Sequence, residues 1–205
     1  MNRENLIYLL KNISDTMTQN EDLLTQADAK FGDGDLGISM KKGFDAIYHI
    51  VSVSEEIDLG KIFLQCSAGF NEAAPSTLGT ILSICMMGMA KKLNGLTDAS
   101  LENMADALDA GLEMVSLRTK SSVGDRTIMD SLVPAVKALK NHVSEEKDAA
   151  LTAAFKAAEK GMENTKFLPA KFGRMVYYGE QVLGHADGGA IAGMLIFKAL
   201  SHHSD

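Results

Sequence analysis

Nowhere in its 205 residues does the chain run eighteen apolar residues without polar interruption, so no membrane-spanning helix is expected. It also has no low-complexity tract, no Pro/Ser-rich linker and no internal repeat, which excludes a disordered or arrayed protein. Cysteine is scarce: Cys66 and Cys85 sit in apolar stretches, form no CxxC pair and have no histidine cluster beside them, so they read as reduced core residues. Positive charge is the minority, 20 Lys and Arg against 27 Asp and Glu, and it is scattered rather than striped. That argues against nucleic acid as a partner. The opening Met1-Asn2-Arg3-Glu4-Asn5 has neither an apolar stretch nor a cleavage site, and a cytoplasmic address is expected.

With 46% hydrophobic and 23% charged residues the composition is globular, and the length accommodates one sizeable core, so a single domain over residues 1–205 is expected. The net charge of −7 also bears on ligands. An acidic protein binding an anion needs a local basic pocket or metal ions, and no basic pocket is visible in the sequence.

Apolar periodicity is helical almost throughout. Leu6, Ile7, Leu10, Ile13 and Met17 share one helix face, and similar faces recur over 58–70, 77–93, 101–118, 147–162 and 190–201. Breaks fall at Asn94-Gly95, Ser121-Ser122-Val123-Gly124 and Gly188-Gly189. These predict an all-α antiparallel bundle of about seven or eight helices. The best strand candidates are Ile50 to Val53 and Met175 to Tyr178, and Pro134 should kink or restart a helix over 128–139. Met86, Met87 and Met89 read as flexible core filler, and His202 and His203 as part of a frayed, solvated tail.

The informative segment runs from Ala27 to Met40. Asp28, Asp33 and Asp35 fall within eight residues, interleaved with Gly32, Gly34 and Gly37. Carboxylates this close repel one another unless solvent or a cation separates them, and the glycines allow the sharp turns that aim all three inward. Oxygen-only ligands suit Mg²⁺ or Ca²⁺, and Mg²⁺ usually shares its shell with phosphate oxygens and water. The EF-hand spacing is not met, which removes calcium sensing. The bland alternative is an exposed polar turn whose aspartates cap the helix starting near Ile38. Gly32, Gly34 and Gly37 also spell G-x-G-x-x-G, yet no apolar strand precedes them and aspartates stand where a pyrophosphate would lie, so a dinucleotide fold is rejected. No P-loop motif occurs.

The pattern from Asp28 to Gly37, followed by Met40 and Gly43-Phe44, resembles the L subunit family of dihydroxyacetone kinase. Three further segments agree in order: Gly79-Thr80, Gly124-Asp125-Arg126-Thr127 with Asp130 and Pro134, and Gly173-Arg174 leading through Tyr177 and Gly179-Glu180 to Gly184 through Ala190. Taken alone, Gly124-Asp125 could be a plain helix cap and Gly188-Gly189 a plain turn. The resemblance spans about residues 5 to 200 and implies an eight-helix antiparallel barrel with a nucleotide site at one end. It implies two Mg²⁺ ions on Asp28, Asp33 and Asp35 bridging to the phosphates of ADP or ATP. It places nucleotide contacts on Leu36, Gly37, Ile38 and Ser39, then on Thr119 and Ile128, and last on Arg174, Asp187, Gly188 and Gly189. Ser76 and Thr77, at a helix start, would add hydroxyls and N–H groups toward phosphate. Family members often carry histidine at the place of Leu36, an Asp-Pro-Gly turn at Asp187-Gly188-Gly189, and a longer glycine-rich loop before Gly79.

The implied activity is phosphoryl transfer to dihydroxyacetone or another small ketose, with the sugar held covalently on a histidine of a separate K subunit. Arg174 would be the catalytic charge facing the migrating group. The family divides into fused ATP-dependent enzymes and phosphotransferase-system types, in which the L subunit keeps its ADP and is rephosphorylated by a histidine-phosphorylated protein. A free-standing chain points to the second. Competing expectations are an ADP-binding regulator that docks on a transcription factor, an L subunit serving an ATP-dependent kinase of another triose or tetrose, and a metal-binding structural module without nucleotide.

Overall fold

The computed structural model describes residues 1–201, and the histidines at 202 and 203 lie outside them. Among the described residues the chain forms nine α-helices and two 3₁₀ segments: α1 Arg3–Gln19, α2 Glu21–Ala29, α3 Leu36–Val53, α4 Leu59–Ala73, α5 Thr77–Leu93, α6 Leu101–Thr119, α7 Met129–Asn141, α8 Lys147–Asn164, the 3₁₀ turns Thr165–Phe167 and Arg174–Val182, and α9 Gly188–Ser201. The periodic faces behave as expected: Leu6, Leu10, Ile13 and Met17 of α1 are all buried. Asn2 and Ser100 close capping boxes on α1 and α6, and Asp58 and Ser76 cap α4 and α5, so local chemistry also sets where these helices begin.

Packing is circular. Helices α1, α3, α4, α5, α6, α7, α8 and α9 each pack on the next, and α9 closes the ring on α1. Neighbours in the ring run antiparallel. Arg3 at the start of α1 donates to the carbonyls of Val51 and Ser52 at the end of α3. In the middle of α4 and α5, Ser67 and Ser83 exchange hydroxyl-to-carbonyl bonds of 2.8 and 2.9 Å. The remaining helix, α2, is short and packs chiefly on α3. The outcome is the eight-helix antiparallel barrel expected from the family resemblance.

Both strand expectations fail. Ile50 to Val53 is the last turn of α3, with Val51 buried and Val53 68% exposed, and Met175 to Tyr178 lies in the second 3₁₀ segment. A four-residue apolar run cannot distinguish strand from helix by itself, and here packing against the ring decides. Nor does Pro134 restart a helix. Helix α7 runs through it, and the Asp130 carbonyl four residues earlier, which loses its intrahelical partner to proline, lies against Gly161 of α8.

Inside the ring is a cavity of about 300 Å³, lined almost wholly by side chains such as Leu10, Phe44, Phe63, Met89 and Phe197. Cys66 and Cys85 are free and buried, and burial pushes both thiols up to about 12, so they are inert core groups as expected. The cavity lining extends to Met1, Ser100 and Lys147 and includes none of the three loop aspartates. Any chemistry of those aspartates therefore belongs elsewhere, at the barrel's rim.

Candidate functional site at the barrel rim

Because ring neighbours alternate in direction, the α2–α3 loop, the α4–α5 turn at 74–76, the α6–α7 loop at 120–128 and the long α8–α9 segment at 165–187 all emerge at one end. Every candidate metal or nucleotide residue from the sequence lies on one of these four connections or on the helix ends they join.

The acidic loop is built by its glycines. Gly34 has φ +75°, a left-handed conformation that costs glycine little, and its N–H donates to Asp28 Oδ2 at 2.8 Å. Gly37 lets α3 approach α2 so closely that a Cβ there would collide with the Glu21 carbonyl and the Thr25 hydroxyl. Asp28, half-buried near the end of α2, thus meets Asp33 and Asp35, which are exposed, and one carboxylate oxygen from each of the three lies within 4.8 Å of the others. Asp35 occupies the N-cap position of α3 but makes no side-chain cap bond. The purely capping role is thereby not what its carboxylate performs. Desolvation by the loop, and then the charges of Asp33 and Asp28, raise the Asp35 carboxyl above the usual range, with Arg174 opposing. Three carboxylates with a single arginine opposing them form an oxygen donor set that fits a hard divalent cation.

Arg174, at the start of the second 3₁₀ segment, reaches across the rim to Asp33, with Nη2 and Oδ2 2.9 Å apart. The two side chains are 65% and 49% exposed, so the pair is open to solvent and worth little in stability. It does show that an arginine from the far end of the sequence stands over the aspartates. Leu36 and Gly37 are buried at the first turn of α3, Ile38 is exposed and Ser39 half-buried. Gly188, at the start of α9, abuts Leu36, and Gly189 lies against Ile128. Leu36, Ile128, Gly188 and Gly189 are therefore brought together beside Asp28.

Ser76, Thr77 and Thr119 join this end through the pairing of the helices rather than through direct contact. The Ser76 hydroxyl caps α5 by accepting from Gly79 N at 3.1 Å. The Thr119 hydroxyl donates to the Val115 carbonyl at 2.8 Å and accepts from the Ser121 hydroxyl at 2.7 Å. Asp187 is buried and accepts from Ala190 N at 2.8 Å, closing the first turn of α9. Burial pushes its carboxyl up to about 6, against the Ala190 bond and the Arg126 charge.

Residues not singled out as functional from the sequence complete the rim. Asp130 accepts from the Gly124 and Thr127 backbone N–H groups at 2.6 and 2.8 Å and so shapes the α6–α7 loop. Lys171 pairs with buried Asp125, an interaction that holds the Asp125 carboxyl below its ordinary range. Phe31 packs against Tyr178 and His185, ring centres 5.2 and 5.6 Å away, and Lys30 Nζ lies 2.8 Å from His185 Nε2. The Gly124-to-Asp130 motif was legible, but which of its charges would be buried was not.

Comparison with known proteins identifies the family. The family model described as the DAK2 domain matches residues 30–202. The chain is 30% identical over 191 residues to the ADP-binding subunit DhaL of PEP-dependent dihydroxyacetone kinase 1 from Listeria innocua, covering 93% of this chain and 91% of that one. It is 26% identical over 203 residues to the corresponding subunit from Escherichia coli K12, covering 98% and 97%. Among solved structures, the dihydroxyacetone kinase of C. freundii in complex with AMP-PNP and Mg²⁺ matches with a TM-score of 0.77 at 26% identity over 95% of this chain. The present chain spans 33% of that longer polypeptide. By its four rim motifs, its closed ring of eight helices and a family match over most of its length, the chain belongs to the DAK2 domain family.

Proposed function

We propose that this chain binds a Mg²⁺–nucleotide at the barrel rim and serves as the phosphoryl-transfer subunit of a dihydroxyacetone or similar small-ketose kinase. The observation that carries the proposal is the convergence of three carboxylates within 4.8 Å of one another, with Arg174 standing over them. The relative solved with AMP-PNP and Mg²⁺ supports the same ligand pair.

Asp28, Asp33 and Asp35 would hold the metal, two ions by the family resemblance. When bound, Mg²⁺ supplies positive charge that neutralises the phosphate oxygens during transfer. The protein's own part is positioning. The α3 start from Leu36 to Ser39, the α5 start at Ser76 and Thr77, and Thr119, Ile128 and Asp187 through Gly189 would form the walls around the nucleotide. Arg174 exchanges its partner Asp33 for the phosphoryl group, placing a cation where charge develops in transfer. The ketose would be presented by a separate K subunit. The near end-to-end match to ADP-binding subunits of PEP-dependent enzymes favours a phosphotransferase-system type, with rephosphorylation by a histidine-phosphorylated protein in the cytoplasm. No helix among the described residues is long and apolar enough to cross a membrane.

Thermal scans of nucleotide-stripped protein with ADP, with Mg²⁺, with both, and with both plus EDTA test the site. A ligand that binds only the folded state at a thousandfold above Kd stabilises it by about 4 kcal/mol. For a chain of this size that is a rise of roughly 8–16 °C. The pair should produce it and EDTA should reverse it; equal shifts with and without metal would remove the aspartates from the site. Transfer to dihydroxyacetone in the presence of a K-type partner then tests the reaction itself.

A further inference from the structure

We propose that Arg126 is a positioning residue: its guanidinium ties together the two ends of the strap at 165–185 and thereby sets where Arg174 stands relative to Asp33. The residue is 2% exposed, and its guanidinium lies at the base of the strap. Nη1 donates to the carbonyls of Thr165 and Leu168, the latter at 3.3 Å, and Nη2 donates to those of Val182 and His185 at 3.0 and 2.8 Å. Two of these acceptors lie where the chain enters the strap and two where it leaves. One planar group thus holds the neck of a loop whose far end carries Arg174.

The middle of the strap is open to solvent. From Lys171 to Gln181 its residues are exposed except half-buried Met175, and Tyr177 is 90% exposed. Its other ties are the Lys171 side chain and N–H on Asp125, the Gly184 N–H to the Lys166 carbonyl at 2.8 Å, the Asp187 N–H to the Thr165 hydroxyl at 2.9 Å, the Tyr178 and His185 rings on Phe31, Lys30 on His185, and Arg174 itself on Asp33. Arg126 adopts φ +60°, a left-handed conformation that a residue with a Cβ takes only at a cost. That conformation aims the guanidinium at all four carbonyls. Asp130 and Asp187 supply the nearby negative charge that a buried cation needs. A lysine could not replace it, because an ammonium is a point donor without the fixed fork that spans both ends of the neck.

The consequence for catalysis rests on the ketose-kinase reading of Arg174, whereas the clamp itself does not, and the experiment separates the two. The full chain is compared with Arg126→Lys, which keeps the charge, and Arg126→Gly, which removes the side chain while relieving the backbone. Hydrogen–deuterium exchange should accelerate by about tenfold or more over 166–184 in both variants, with α4 and α5 within about twofold of the parent. With Mg·ATP, dihydroxyacetone and a K-type partner, Arg126→Lys should lower kcat while leaving the KM for nucleotide nearly unchanged. The double variant Arg126→Lys/Arg174→Ala should then be no slower than Arg174→Ala alone. Unchanged strap exchange in both variants, or acceleration spread evenly over the barrel, overturns the clamp. Losses that multiply in the double variant overturn its coupling to Arg174. Faster strap exchange in the variants of a parent that transfers no phosphate upholds the clamp and instead sinks the kinase reading.

Discussion

Replacing Asp35 with asparagine should make the metal-free protein more stable and the nucleotide-bound protein weaker, two effects of opposite sign from one atom's change. Asp35 faces Asp28 and Asp33 with oxygens no more than 4.8 Å apart, and its carboxyl is raised because desolvation and those two charges disfavour ionisation. At that distance one carboxylate pair costs roughly 1 kcal/mol in water-like screening, the appropriate limit for exposed side chains. Asp35 takes part in two such pairs, partly offset by Arg174, so neutralising it should return about 1–2 kcal/mol. For a chain of this length the melting temperature without ligand should rise by roughly 2–8 °C. Added salt should shrink the gain, because screening already weakens the repulsion in the parent. Removal of a ligand charge should meanwhile loosen Mg·ADP binding by about tenfold or more, since amide oxygen is a poorer partner for a hard cation. Thermal scans at low and high salt, with calorimetric titration of Mg·ADP, read both halves. An Asp35→Asn protein that is less stable without ligand, and binds Mg·ADP as tightly as the parent, would refute the reasoning, because the carboxylate would then be structural.

Further outcomes follow from neighbouring residues. Arg174→Ala should lower the rate of phosphoryl transfer by more than it weakens ADP binding, as befits a charge felt chiefly in the transition state; a loss confined to ADP affinity would make it a ground-state clamp. Asp187, its carboxyl pushed up to about 6 by burial, holds its proton in the folded state to a higher pH than in the unfolded state. Its contribution to stability is therefore greatest below pH 4 and is lost as pH rises to 6, by about 3 kcal/mol. Across pH 4 to 7 the stability of Asp187→Asn should gain on the parent by an amount of that order, and a pH-independent difference in denaturant melts would rule out this origin. Gly37→Ala drives a methyl group into the Glu21 backbone and should cost about 1–3 kcal/mol, visible as a lower urea midpoint. It should also weaken Mg·ADP binding, because the aspartate loop must shift with the α3 start.

Much of this protein was determined by the sequence alone. A 3.6-residue apolar period leaves the backbone few options other than helix, so the faces over 58–70, 77–93, 101–118, 147–162 and 190–201 lie close to the bounds of α4, α5, α6, α8 and α9, whereas the short α2 had no such face. The meeting of the loop aspartates was equally legible, since Asp28, Asp33 and Asp35 stand within eight residues among glycines and their carboxylate oxygens do come within 4.8 Å of one another. Short apolar runs were not: Ile50 to Val53 suits strand and helix alike until α3 is packed into the ring. What only the tertiary structure decided is how distant segments meet. Closure of the ring by α9 on α1 places the 165–187 segment beside a loop at 28–35, and so sets Arg174 on Asp33 across more than half the chain. The same closure determines which charges are buried. The sequence marks Arg126 only as part of a family motif and Asp187 as a nucleotide contact, and that both are buried is seen only once the chain is folded. Periodicity assigns the burial of apolar faces, but whether a charged side chain is buried depends on the distant segments packed around it and not on its own stretch.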